Sequence, residues 1–203
     1  MSDPLSVPVF LFGCTDLLAS VFRGPSGSEY TDLARNGLPE FETRCPAELT
    51  EMRPIFCSMA RRLDLLAGQN KLDDLEAEFV RLFITNARGV PAPLYHSCHD
   101  ETGSGQVLGP AALTMQDRLT SAGLETASPG EPPDHLCLEL EYLHFLQALT
   151  LTRPDSAPES PTEFARNHVL PWAGRLRRKI EVHSREPFFP LAGRLLCLVL
   201  EKI

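Results

Sequence analysis

The sequence predicts an all-α protein: a single helical domain of about eight to ten helices, with a larger N-terminal and a smaller C-terminal helical region. Three observations carry this. Leucine outnumbers isoleucine and valine together by more than two to one, and side chains unbranched at Cβ lose little rotamer freedom in a helix, whereas β-branched ones suit strands. Apolar residues recur at steps of three and four along most of the chain. No stretch alternates at period two, and no Asn-Gly or Asp-Gly turn lies between two such runs. With 203 residues, 43% of them hydrophobic and 23% charged, the chain can bury a sizeable core.

The elements follow in order. A first helix runs from about Val7 to Phe22 and ends at Gly24-Pro25-Ser26-Gly27-Ser28. A second covers about Ala47 to Ala67, where Pro54 must start or kink it, because proline lacks the N–H a helix interior needs. In Leu72 to Ile84 the residues Leu72, Leu75, Phe79, Leu82 and Phe83 draw one stripe. Asn86 to Gln106 is too rich in Gly, Pro and polar residues to be regular. A shorter helix follows with Pro110 at its first position. After a break at Ala122 to Pro133, a helix from Pro133 to Leu149 carries the stripe Leu136, Leu140, Leu143, Leu146 and Leu149, with Asp134 and His135 in its first turn. A proline-rich break spans Thr152 to Pro161, and from Pro187 the residues Phe188, Leu191, Leu195, Leu198 and Val199 mark the last helix. This divides the chain into an N-terminal region of about 1–122, a hinge of about 123–132 and a C-terminal region of about 133–203. There is no repeat of fixed period.

Several functions are disfavoured. A net charge of −8 repels a phosphate backbone, so no nucleic-acid partner is expected. The longest apolar runs, Val9 to Phe12 and Leu195 to Leu200, fall far short of the roughly 20 residues of a membrane span. No Lys or Arg precedes Arg23, so the start does not read as a secretory signal. Six scattered cysteines without a Cys-x-x-Cys pair read as reduced, mostly buried thiols, and the expected location is cytoplasmic. Dinucleotide, phosphate-loop and His-Glu-x-x-His motifs are absent, as is a nucleophile turn, so no enzyme activity and no cofactor are expected. His96, Cys98, His99 and Asp100 could each donate a lone pair, but four adjacent loop residues rarely close one tetrahedron, and no metal is expected.

Two segments ask for more than packing. In the first, Glu78-Phe79-Val80-Arg81-Leu82-Phe83 runs toward Pro91-Ala92-Pro93-Leu94-Tyr95-His96-Ser97. Its prolines hold an extended backbone beside an amphipathic tyrosine, which suits either a rigid loop over the core or a groove for a peptide. In the second, Glu131-Pro132-Pro133-Asp134-His135 opens a helix on which Glu139 lies four residues beyond His135. It reads either as a helix cap with a solvated acidic face or as an acidic surface for a basic peptide.

In order and spacing these segments resemble the TorD/DmsD/NarJ-like family of chaperones for complex redox enzymes, nearest to its TorD/DmsD branch. Leu170-Pro171-Trp172 and Glu186-Pro187-Phe188-Phe189 are similar to the family's Pro-Trp and Pro-Phe-Tyr stretches. The resemblance implies an all-helical cytoplasmic chaperone that binds the twin-arginine signal peptide, the apo form of a molybdopterin-dependent oxidoreductase, or both. Such a chaperone assists cofactor insertion and delays export. The implied state is a monomer or a domain-swapped dimer, hinged near Ala122 to Pro133. Carried over by position, the peptide site would comprise Phe79, Leu82, Phe83, Pro93, Tyr95, Ser97, Asp134 and His135; the reading of the second segment adds Glu139. Departures include His96 where many relatives have Glu or Gly, and Leu94 in place of a common proline. The alternatives are a small nucleotide-binding enzyme and a helical interaction protein with an unrelated client.

Overall fold

The computed structural model describes residues 6–87, 89–99, 108–125 and 130–203. Helix α1 is Val7–Arg23. It stops where Gly24 turns left-handed (φ 86°), and Phe79 closes in so tightly that a Cβ on Gly24 would sit 2.7 Å from its ring. Only glycine meets both demands. Two short helices follow, α2 (Gly27–Asp32) and α3 (Leu38–Arg44), joined by a π-helical turn at Leu33–Gly37. The stripes described above do not mark this pair; a capping box of Ser26 and Glu29 starts α2.

A 3₁₀ turn at Ala47–Met52 leads into α4 (Arg53–Gly68), with Pro54 in its first turn, where a missing N–H costs nothing. Helix α5 (Leu72–Phe79) passes into a second π-helical turn, Val80–Ile84. Tyr95 and His135 form an isolated antiparallel bridge. Helix α6 is Pro110–Ser121 and α7 is Leu136–Thr152. The third π-helical turn, Phe164–Val169, joins α8 (Pro161–Glu163) to α9 (Leu170–His183), and α10 is Phe188–Lys202. Among the described residues there are no strands.

Helix α7 buries residues around most of its circumference, as a central helix must. It lies along α1, while α10 packs on α9, α1 and α4. Helices from before and after residues 123–132 thus contribute to a single cluster of buried apolar residues, a region in which 126–129 lie outside the described residues. No helix among the described residues is long and apolar enough to cross a membrane.

Candidate functional site

Residues 94–97 dock against the entry to α7. His96 N–H donates to the Asp134 carbonyl (3.0 Å), and Leu136 N–H donates to the Leu94 carbonyl (2.8 Å). Asp134 is fully buried. Its Oδ2 accepts from Ser97 N–H (2.8 Å) and Ser97 Oγ (2.5 Å), and Ser97 Oγ accepts from Gly109 N–H (3.0 Å). The two motifs of the sequence are therefore one clamp. Asp134 Oδ1 has no hydrogen-bond partner among the described residues.

Helix α7 begins at Leu136, where its apolar stripe starts, and not at Pro133 as expected. His135 is extended (ψ 136°) and is the N-cap, its Nδ1 accepting from Cys137 N–H at 3.2 Å. Asp134 and His135 thus precede the helix instead of forming its first turn. Burial lowers the His135 pKa, against the opposing pull of Glu131, Asp134, Glu139 and Glu141. Its ring packs edge-on to Tyr95 (5.0 Å between centroids), and Tyr95 Oη donates to Glu131 Oε1 at 2.8 Å.

Glu139 does not turn to the His135 side chain. It is fully buried, and its Oε1 faces His96 Nδ1 and His168 Nε2, each at 3.2 Å, while Oε2 accepts from Trp172 Nε1 at 2.8 Å. Burial would raise its pKa, but His168 and His96 outweigh burial and hold it below the usual carboxylate range. Trp172 stacks on His96 (5.3 Å, 15°). Of the ligand-bearing loop residues, His96 joins this cluster; His99 instead donates from Nε2 to the Pro93 carbonyl (2.7 Å), and Asp100 lies outside the described residues.

Phe79, Leu82 and Phe83 are buried. Phe79 and Phe83 pack on each other (5.0 Å) and on Phe189 (6.1 and 5.4 Å). Glu78 is buried too. Arg81 holds it through two bonds of 2.6 and 2.7 Å, and Arg185 N–H donates to it at 2.7 Å, tying α5 to the turn before α10. Burial pushes the Glu78 pKa up, and those donors pull it below the ordinary value. Of the expected site residues, Pro93, Tyr95 and His135 keep partial exposure; Phe79, Leu82, Phe83, Ser97, Asp134 and Glu139 are buried.

Another concavity lies away from the motifs. A groove of about 560 Å³ opens between α1 and the α2–α3 pair. Leu17, Val21, Leu33 and Phe41 give it an apolar lining, and Asp16, Glu29, Asp32 and Arg23 give it charge. Asp16, Glu29 and Asp32 are exposed. Ser26 N–H and, after it, Ser26 Oγ hold Glu29 below the usual carboxylate range. Arg23 pairs with Glu141 of α7, linking the groove wall to the face that bears His135. The available signal was the polar row Asp16, Ser20 and Arg23 on an otherwise apolar helix.

A family model described as the nitrate reductase delta subunit matches residues 46–178. The chain belongs to this family. The finding agrees with the resemblance carried by the motifs. The perchlorate reductase assembly chaperone protein of Dechloromonas aromatica is 27% identical to this delta-subunit family member over 138 residues, covering 64% of this chain and 59% of the relative. The chaperone protein TorD of Vibrio cholerae is 27% identical over 136 residues, covering 63% of this chain and 60% of that protein. The match thus spans about three-fifths of the length of these curated relatives. A crystal structure from Archaeoglobus fulgidus, of a candidate redox enzyme maturation protein, shares the fold at a TM-score of 0.53 and 22% identity, over 92% of this chain and 91% of the other. The match to the delta-subunit family contains Glu78, the loop motif, Asp134, Glu139 and Trp172, whereas the α1–α3 groove lies ahead of it.

Proposed function

We propose that this delta-subunit family member is a non-catalytic cytoplasmic assembly chaperone. Its client is a molybdopterin-dependent oxidoreductase, which it holds through the twin-arginine signal peptide, the apo form, or both. Family membership and relatives named as chaperones, one of them for perchlorate reductase assembly, support the class. The observation that carries the peptide reading is the α1–α3 groove, with half-buried Leu33 and Phe41 beside exposed Asp16, Glu29 and Asp32. A twin-arginine leader offers two fixed cations followed by an apolar stretch, and carboxylates next to an apolar trough complement both. Tyr95, Pro93, His135 and Glu141 extend the contact past Arg23. The buried residues of the motifs, Asp134, Ser97, Glu139, Phe79, Leu82 and Phe83, serve by holding that face in place.

The test is fluorescence anisotropy with a labelled twin-arginine leader, alongside co-purification with an apo-oxidoreductase. Micromolar or tighter binding that weakens with salt is expected, as is a loss of about tenfold in an Asp16→Asn, Asp32→Asn variant, one charged contact to a guanidinium being worth about 1.4 kcal/mol or more. Absence of association with either leader or passenger would remove the reading.

A further inference from the structure

We propose that His96, Glu139 and His168 form a binding site for one divalent first-row transition metal ion, of the two-histidine, one-carboxylate kind. Their ligand atoms lie within 4.8 Å of one another. They come from three separate elements: the short 3₁₀ turn His96–His99, helix α7 and the π-helical turn Phe164–Val169.

Three features distinguish this cluster from a buried carboxylate that has merely found donors. First, both imidazole nitrogens aim at the same oxygen, Oε1, at 3.2 Å. Charge-assisted N–H···O bonds settle at about 2.7–2.9 Å, as the neighbouring Trp172 bond does at 2.8 Å. Two donors each ~2.1 Å from a shared ion stand ~3.0–3.4 Å apart at octahedral to tetrahedral angles, which brackets both nitrogen–oxygen distances. Second, the surrounding groups set the ligands. Trp172 Nε1–H fixes the other carboxylate oxygen, His96 stacks on Trp172 and His168 stacks on Phe164 (5.0 Å, 25°). Metal sites need such outer contacts to orient their ligands. Third, the extra residue of a π-helical turn re-aims side chains, and such turns gather at functional sites; this one carries His168.

The His96 and His168 side chains are 13% and 10% exposed while that of Glu139 is 0%, so an ion and a completing water reach the cluster from the histidine side. The donor set of two imidazoles and one carboxylate suits Zn²⁺, Co²⁺, Ni²⁺ or Fe²⁺ over Mg²⁺ or Ca²⁺. Bound there, the ion would tie the loop motif to α7 and the α8–α9 helix.

The experiment titrates Co²⁺ and Zn²⁺ into the tag-free, chelator-stripped full chain, read by visible absorption and by equilibrium dialysis. One equivalent per chain is expected at micromolar affinity, with cobalt d–d bands and no thiolate charge-transfer band. His168→Asn and His96→Asn are each expected to weaken binding at least tenfold, with helicity retained by circular dichroism. If one of them unfolds, the other folded variant decides the result. No uptake by the native chain, a thiolate signature, or unchanged affinity in a folded histidine variant would overturn the site.

Discussion

Carboxylates in two regions of this molecule do opposite work. At the entry to α7, Asp134 and Glu139 are sealed from solvent and face donors whose positions the fold dictates. Along the α1–α3 groove, Asp16 and Asp32 stand in water beside an apolar trough. The difference is one of desolvation. A buried carboxylate without its donors is expensive, so its partners must come with the fold, and removing them damages the fold. An exposed one contributes little to stability and keeps its charge for an incoming cation. A motif conspicuous in sequence can therefore mark the scaffold of a site, with the contacting surface elsewhere.

The sharpest way to break this comparison is Glu139→Ala. It removes the acceptor shared by Trp172, His96 and His168, and loss of about 3–5 kcal/mol in urea unfolding is expected for a broken buried ionic network. A loss under about 1 kcal/mol would mean the hub is replaceable.

Next comes pH. His99 is buried against Trp172, and burial, aided by the nearby positive charges of Lys179 and Arg175, lowers its pKa from 6.5 to about 4 despite its bond to the Pro93 carbonyl. The unfolded chain therefore binds this proton more readily than the folded one. Stability is full above about pH 6.5 and declines as pH falls toward 4, by roughly 3 kcal/mol at most for a shift of this size. Glu78 acts in the same direction lower down: its depressed pKa contributes stability above its unfolded value of 4.5, lost as pH falls through the folded value. A pH series of urea midpoints should show both limbs, and His99→Gln should flatten the upper one.

Gly24→Ala adds a Cβ at positive φ against the Phe79 ring, costing about 2 kcal/mol in thermal unfolding. The smallest effect on stability belongs to the groove. Asp16→Asn with Asp32→Asn should change stability by no more than about 0.5 kcal/mol while weakening the leader peptide. Equal losses of stability in the groove and hub variants would erase the contrast between the two regions.

Much of the helical framework was legible because its signals are local. The stripes Leu136 to Leu149 and Phe188 to Val199 lie on α7 and α10, Pro110 opens α6, and Pro54 sits in the first turn of α4. The α2–α3 pair was not legible, since short helices joined by a π-helical turn show no sustained stripe. The start of α7 shifted because His135 turns its ring back to cap Cys137 N–H. The pairing of Ser97 with Asp134 brings together residues that two separate motifs hold far apart in the chain.

By itself the sequence determined the fold class and the family, because helix periodicity and motif order are properties of residues near one another along the chain. Only the tertiary structure decided which acids are buried and which face a groove, and that His96 meets Glu139 and His168. Burial and convergence depend on which helices pack together, and residues 43 and 29 positions apart carry no local signal that they will meet.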